Sequence, residues 1–244
     1  MISTLFIIIF IITLLGFALS VPLNGFLTSL LINRGAYDKI YADEEYINSP
    51  FDYFDLVGSF CFFFLGFGWG TILPIEQEYI SGSYKRARTI LAYCAQGLVS
   101  IFISLCAIVP SVLLTGEQCI YTSLSMFFAN SLYNAPSEGA WHIFQQRSSD
   151  FALCSPYAIT ATLFFISIVY IQTGILCVAM VRNSFQALLY PFRFNIMASS
   201  YSWIIMIIVP LLFCIFFWQF FYKLAFTFII FFIHGISSVL TGAQ

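Results

Sequence analysis

The sequence predicts an all-α polytopic membrane protein with about five transmembrane helices and one re-entrant segment, forming a single integral membrane domain over residues 1–244. Three observations predict it. Of the 244 residues, 61% are hydrophobic and only 8% are charged, a balance unlike that of a water-soluble domain. Five uncharged runs approach the ~20 residues that a hydrocarbon core requires. A sixth apolar run is interrupted by glycine and proline, which are tolerated at membrane depth where protein rather than lipid surrounds the backbone.

The five runs are Ile2 to Val21, Thr89 to Leu114, Tyr157 to Val181, Tyr201 to Phe221 and Leu224 to Leu240. The first has no basic start and runs on through Leu23, Phe26 and Leu30, so it reads as a retained helix rather than a cleaved signal peptide. The interrupted run lies in a re-entrant segment at residues 55–75. It opens on Asp55 and closes on Gly66, Gly68, Trp69, Gly70 and Pro74.

Charge placement orients the helices, because lysine and arginine accumulate near helix ends on the cytoplasmic side. With residues 55–75 re-entrant, Arg34, Lys39, Lys85, Arg86, Arg88, Arg182 and Arg193 share the inner face, and Arg147 and Lys223 lie outside. This puts the N-terminus outside and the C-terminus inside. It also exposes an outer loop at residues 115–156, whose Met126, Phe127 and Phe128 suit a short interfacial helix. Cys119 and Cys154 bracket that loop. In an oxidising compartment they would close it as a disulfide; otherwise they are two free thiols at a membrane surface.

Residue types exclude most chemistry. The net charge of -2 and the lack of any run of five or six like charges argue against nucleic acid as a partner. The lipid bilayer is one partner, and other membrane protein subunits are the other expected class. There are two histidines, His142 and His234, and no HExxH, GxSxG or phosphate-loop motif. A catalytic zinc site normally takes three protein ligands, which this chain does not assemble in any motif. The expected cofactor is none.

The order of features nevertheless resembles a known family. Ser49-Pro50 precedes Tyr53-Phe54-Asp55-Leu56-Val57-Gly58, an apolar run follows, and then comes Phe67-Gly68-Trp69-Gly70-Thr71-Ile72-Leu73-Pro74. The basic stretch Lys85 to Arg88 leads into Ala95-Gln96-Gly97-Leu98-Val99-Ser100, and Ser200-Tyr201-Ser202-Trp203 opens a later apolar helix. This series is similar to the site-2 protease group of intramembrane zinc metalloproteases. Members carry a His-Glu-x-x-His helix, a His-x-Asp-Pro-x-Gly element, a Phe-Gly-Trp-Ala-Lys-Pro turn, an Ala-Gly-Pro-x-x-Asn element and a Pro-Tyr-Gly element.

The resemblance implies a protease fold, but the departures fall on its chemistry. Pro22, Leu23 and Phe26 stand where the family has its first histidine, glutamate and second histidine. The later Leu-Asp-Gly element would fall near Phe185-Gln186-Ala187, without its aspartate. The implied protein is a degenerate member lacking the metal-binding motif. It is expected to be a non-catalytic pseudoprotease that binds other membrane proteins, in a bacterial inner membrane or an organelle membrane of bacterial origin. A transporter or channel component is the alternative, and an active protease using ligands such as Asp55 and His234 is a third reading.

Acidic residues cluster between residues 38 and 78: Asp38, Asp43, Glu44, Glu45, Asp52, Asp55, Glu76 and Glu78. A solvated loop balancing Arg34 and Lys39 accounts for them, and a docking face for a basic partner is the functional reading, carried by Asp43, Glu44 and Glu45. Asp55 stands apart as an acid at the mouth of an apolar segment, expected to be desolvated and paired with Arg34 or Lys85. With Gly68, Trp69 and Pro74 it makes up the candidate structural site.

Overall fold

The computed structural model describes residues 4–37, 49–65, 68–70, 75, 79–80, 82, 84–130 and 155–189, with residues 227, 230, 231, 235 and 238. Asp43, Glu44, Glu45, Pro74, Cys154, His142, His234 and the run Tyr201 to Phe221 lie outside these described residues. The described elements are α1 (Thr4–Gly35), a 3-10 turn (Pro50–Tyr53), α2 (Leu56–Leu65), α3 (Lys85–Asn130) and α4 (Pro156–Leu189). Among the described residues, three stretches are long and apolar enough to cross a bilayer: Ile7–Gly35, Lys85–Leu113 and Tyr157–Val181. They mark the chain as an integral membrane protein. In the run Leu224 to Leu240, all five described positions are helical, and Ile230 packs against the main core.

Local sequence explains the helix ends. Ser155 begins α4 as an N-cap: its hydroxyl accepts the Ala158 N–H at 3.2 Å, while Pro156 occupies the first turn, where its missing N–H costs nothing. α1 ends at Gly35, after which the Ala36 and Tyr37 N–H groups both donate to the Ile32 carbonyl, at 2.9 and 3.0 Å. Pro22 lies within α1 and Pro110 within α3. Each lacks the N–H that would meet the carbonyl four residues back, so each leaves a local weakness in its helix.

The three long helices alternate in direction. Asn24 meets Ser100 and Gly35 lies against Leu91, so α1 and α3 are antiparallel. Gly97 lies against Leu176 and Asn183 bonds to the Tyr93 carbonyl, so α3 and α4 are antiparallel as well. α1 and α4 run parallel, with Gly16 against Ser167 and Asn24 on Gln172. Arg34, Lys85, Arg86, Arg88 and the helical position of Arg182 therefore share one end of the bundle, as charge placement predicts.

The core is built from all three helices and α2. Val21, Val99, Ile120, Leu124, Val169 and Ile175 are among its buried members, and Phe62 of α2 joins them. A second cluster at the basic end holds Ile32, Ala36, Tyr37, Ile75, Ile80, Ala92 and Ala95. Against lipid, apolar burial alone does not drive helices together, so close packing and interhelical hydrogen bonds carry the association.

One element differs from the sequence reading. The outer loop expected from residue 115 begins as helix, because α3 continues without a break to Asn130. Cys119, Ile120, Ser123 and Leu124 are buried along this extension at helical spacing. The uncharged run ends at Leu114, but apolar positions resume beyond Gly116-Glu117-Gln118. Met126, Phe127 and Phe128 belong to that same helix rather than to a separate one.

Candidate functional site

The segment containing Asp55 folds back on itself beside α1. α2 has 10 residues, about 15 Å of helix, roughly half of a ~30 Å hydrocarbon core. Phe54 before it and Gly70 after it form an antiparallel bridge, so the two ends of the segment meet. Tyr53, almost fully buried, packs its ring on Gly25 of α1, and Gly70 lies beside Val21. From there α2 climbs α1 towards its N-terminus. Phe62 stacks on Phe17 with ring centroids 4.1 Å apart, and Phe63 approaches Phe10 at 6.4 Å.

Two glycines make this hairpin close. A Cβ on Gly58 would overlap the Trp69 carbonyl oxygen, so the α2 backbone rests directly on the returning strand. A Cβ on Gly68 would come within 2.7 Å of the Phe62 side chain and 2.8 Å of the Phe17 ring. Trp69, between Gly68 and Gly70 in sequence, is buried next to the bridge. Gly68 and Trp69, singled out from the sequence, thus belong to one packed junction with Asp55.

Asp55 is a helix cap. Its Oδ2 accepts the Gly58 N–H at 3.0 Å and its carbonyl accepts the Ser59 N–H at 2.8 Å, which satisfies donors at the start of α2. The side chain is half-buried. Through the Phe54–Gly70 bridge it stands near the level of Val21, the central residue of the span Ile7–Gly35. Arg34, one of the partners expected from the sequence, occupies the last turn of α1, about 20 Å further along the helix axis. Asp52 is exposed.

The centre of the bundle is polar. Asn24 donates both hydrogens of Nδ2, to Ser100 Oγ at 2.9 Å and to Gln172 Oε1 at 2.8 Å. Gln172 Nε2 then donates to the Ser20 carbonyl at 3.0 Å. Ser20, Asn24, Ser100 and Gln172 are each 1% exposed or less. One amide pair therefore links α1, α3 and α4 close to the middle of all three spans. In a low-dielectric interior each of these groups is costly if left unpaired, so the network fixes the register of the three helices.

This network coincides in sequence with the positions where the resemblance sought metal ligands. Pro22 is buried, Leu23 points outwards at 40% exposure, and Phe26 is half-buried. The inward polar position is Asn24, between them. Among the described residues, no group of three His, Cys, Asp or Glu side chains is arranged to hold a metal ion. Asn24 and Gln172 escape a search for acids, histidines and cysteines. Their signal was an uncharged amide inside or beside an apolar run, a residue type that bonds across helices in membranes.

Cys119 is disulfide-bonded, to a residue outside the described set. Cys61, Cys94, Cys106 and Cys177 are free thiols. Comparison with known proteins gives no match: no protein-family model, no curated protein and no solved structure is significantly similar to the chain.

Proposed function

We propose that the chain is a non-catalytic membrane protein, a pseudoprotease-like bundle that binds other membrane proteins as a subunit of a larger membrane complex. The observation that carries this reading is the content of the bundle centre. Where the resembled proteases carry zinc ligands on the first helix, this chain has Pro22, Leu23 and Phe26, and Asn24 ties α1 to Ser100 and Gln172. Residues that bind no metal, together with an amide network that holds three helices in register, suit a scaffold.

In the full topology, five helices cross and residues 55–75 are re-entrant from the basic end. Support comes from the Phe54–Gly70 bridge and the short α2. The basic end faces the cytoplasm and the Cys119 end faces an oxidising compartment, because disulfides persist there. A bacterial inner membrane, or an organelle membrane of bacterial origin, has such a pair of faces. Asp43, Glu44 and Glu45 then lie on the inner side as a docking patch for a basic partner.

Native electrophoresis of mildly solubilised membranes tests the assembly. The tagged chain should migrate in a complex several times its own 27.7 kDa mass, and charge reversal at Asp43, Glu44 and Glu45 should shrink it. Migration as a monomer in several mild detergents would contradict the subunit role. The mid-span level of Asp55 favours a transporter or channel component as the second reading. In that case Asp55→Ala changes solute flux in reconstituted vesicles while leaving assembly intact.

A further inference from the structure

Hydroxyl groups in these helices have an inexpensive way to satisfy themselves: they bond to the backbone carbonyl one turn back. Thr13 does so on Ile9 at 2.7 Å, and Ser104, Thr162 and Thr173 do so on Ser100, Ala158 and Val169, each at 2.8 Å. Ser20 and Thr28 are exceptions. Among the described residues, Ser20 Oγ and Thr28 Oγ1 have no hydrogen-bond partner, although the two residues are only 1% and 3% exposed.

These two residues lie four positions on either side of Asn24, on the stripe of α1 that carries the amide network. Side chains four apart on a helix have Cβ atoms about 5–6 Å apart. That separation suits a bridging water, which joins two polar atoms by hydrogen bonds of about 2.8 Å each. The groups such a water requires are present. Asn24 uses both Nδ2 hydrogens on Ser100 and Gln172, which leaves its Oδ1 to accept. The hydroxyls of Ser20 and Thr28 both donate and accept.

We propose that the seam between α1, α3 and α4 binds ordered water at Ser20 Oγ and at Thr28 Oγ1, one turn above and one turn below Asn24. Buried water with two to four polar partners is part of a protein's structure and is costly to remove. The Asn24–Gln172 link is then the middle of a longer hydrated seam at the centre of the membrane. This inference does not depend on the docking role, and either can fail alone.

High-resolution electron cryomicroscopy of the purified full-length chain tests it, alongside thermal unfolding of Thr28→Val and Thr28→Ser. Density within hydrogen-bonding distance of both hydroxyls is expected. Thr28→Val, which keeps the shape and removes the hydroxyl, should lose the density at residue 28 and lower the melting temperature by a few degrees, whereas Thr28→Ser should keep both. A dry seam in the wild-type map overturns the proposal. So does a Thr28→Val chain that melts at or above the wild-type temperature, since removing an unsatisfied dry hydroxyl is neutral or stabilising. If Thr28→Val does not fold, the wild-type map decides.

Discussion

Asn24 Nδ2 and Gln172 Oε1, 148 residues apart in sequence, are hydrogen-bonded at 2.8 Å in the interior of the bundle. The bond joins two parallel helices, and the second hydrogen of the same amide binds the antiparallel helix between them in sequence, through Ser100. One side chain thus holds three elements together.

A double-mutant cycle measures that bond. Asn24→Leu and Gln172→Leu should each destabilise the bundle, because each strands a polar partner in a low-dielectric interior. The coupling between them should be about 1 kcal/mol, in the range found for interhelical hydrogen bonds in membranes. Reversible unfolding in mixed micelles gives the value, and strict additivity would show that the two amides do not communicate.

Gly58→Ala should disrupt the hairpin that the Phe54–Gly70 bridge closes. The added methyl meets the Trp69 carbonyl, a backbone atom that cannot swing aside, and overpacking of this kind costs about 1–3 kcal/mol. Phe60→Ala, on the exposed side of the same helix, should leave the hairpin in place. Limited proteolysis should cleave the Gly58→Ala chain near residues 54–70 faster than either the wild type or Phe60→Ala.

Asp55 separates a cap from a charge. If its work is to accept the Gly58 N–H, Asp55→Asn should melt close to the wild type and Asp55→Ala about 1 kcal/mol below it. Equal losses for Asn and Ala would assign the effect to the negative charge instead.

Cys119 should appear in peptide mapping of the unreduced protein joined to Cys154, closing the segment beyond α3. Cys154→Ser should then free the Cys119 thiol to alkylation and leave Cys61, Cys94, Cys106 and Cys177 unchanged. A Cys119–Cys214 peptide would contradict that pairing and the outer-loop topology with it.

Much of this architecture was legible in the sequence because membranes impose simple rules. Long apolar runs marked α1, α3 and α4, and the described basic residues gather at one end of these helices as their placement requires. The glycines that interrupt the apolar run, Gly68 and Gly70 among them, pointed to a backbone packed within protein, and both are buried beside the Phe54–Gly70 bridge. The full length of α3 was not legible, since Gly116-Glu117-Gln118 resembles a helix end and only burial of Ile120 and Leu124 carries the helix onward. An acid beside an apolar run points to an ion pair, whereas the cap that Asp55 makes depends on the helix start lying one residue later. The polar centre was hidden because its members are uncharged and come from three distant segments, and no local pattern joins residues 24, 100 and 172.

An amide network occupies the bundle centre, and the proposal that goes with it is that the chain performs no metal chemistry. Metal analysis of the purified wild-type chain, with a cleavage assay on transmembrane substrates in the same preparation, tests it most directly. Zinc well below one equivalent per chain and no cleavage are expected. One zinc per chain with proteolysis that chelators abolish would contradict it.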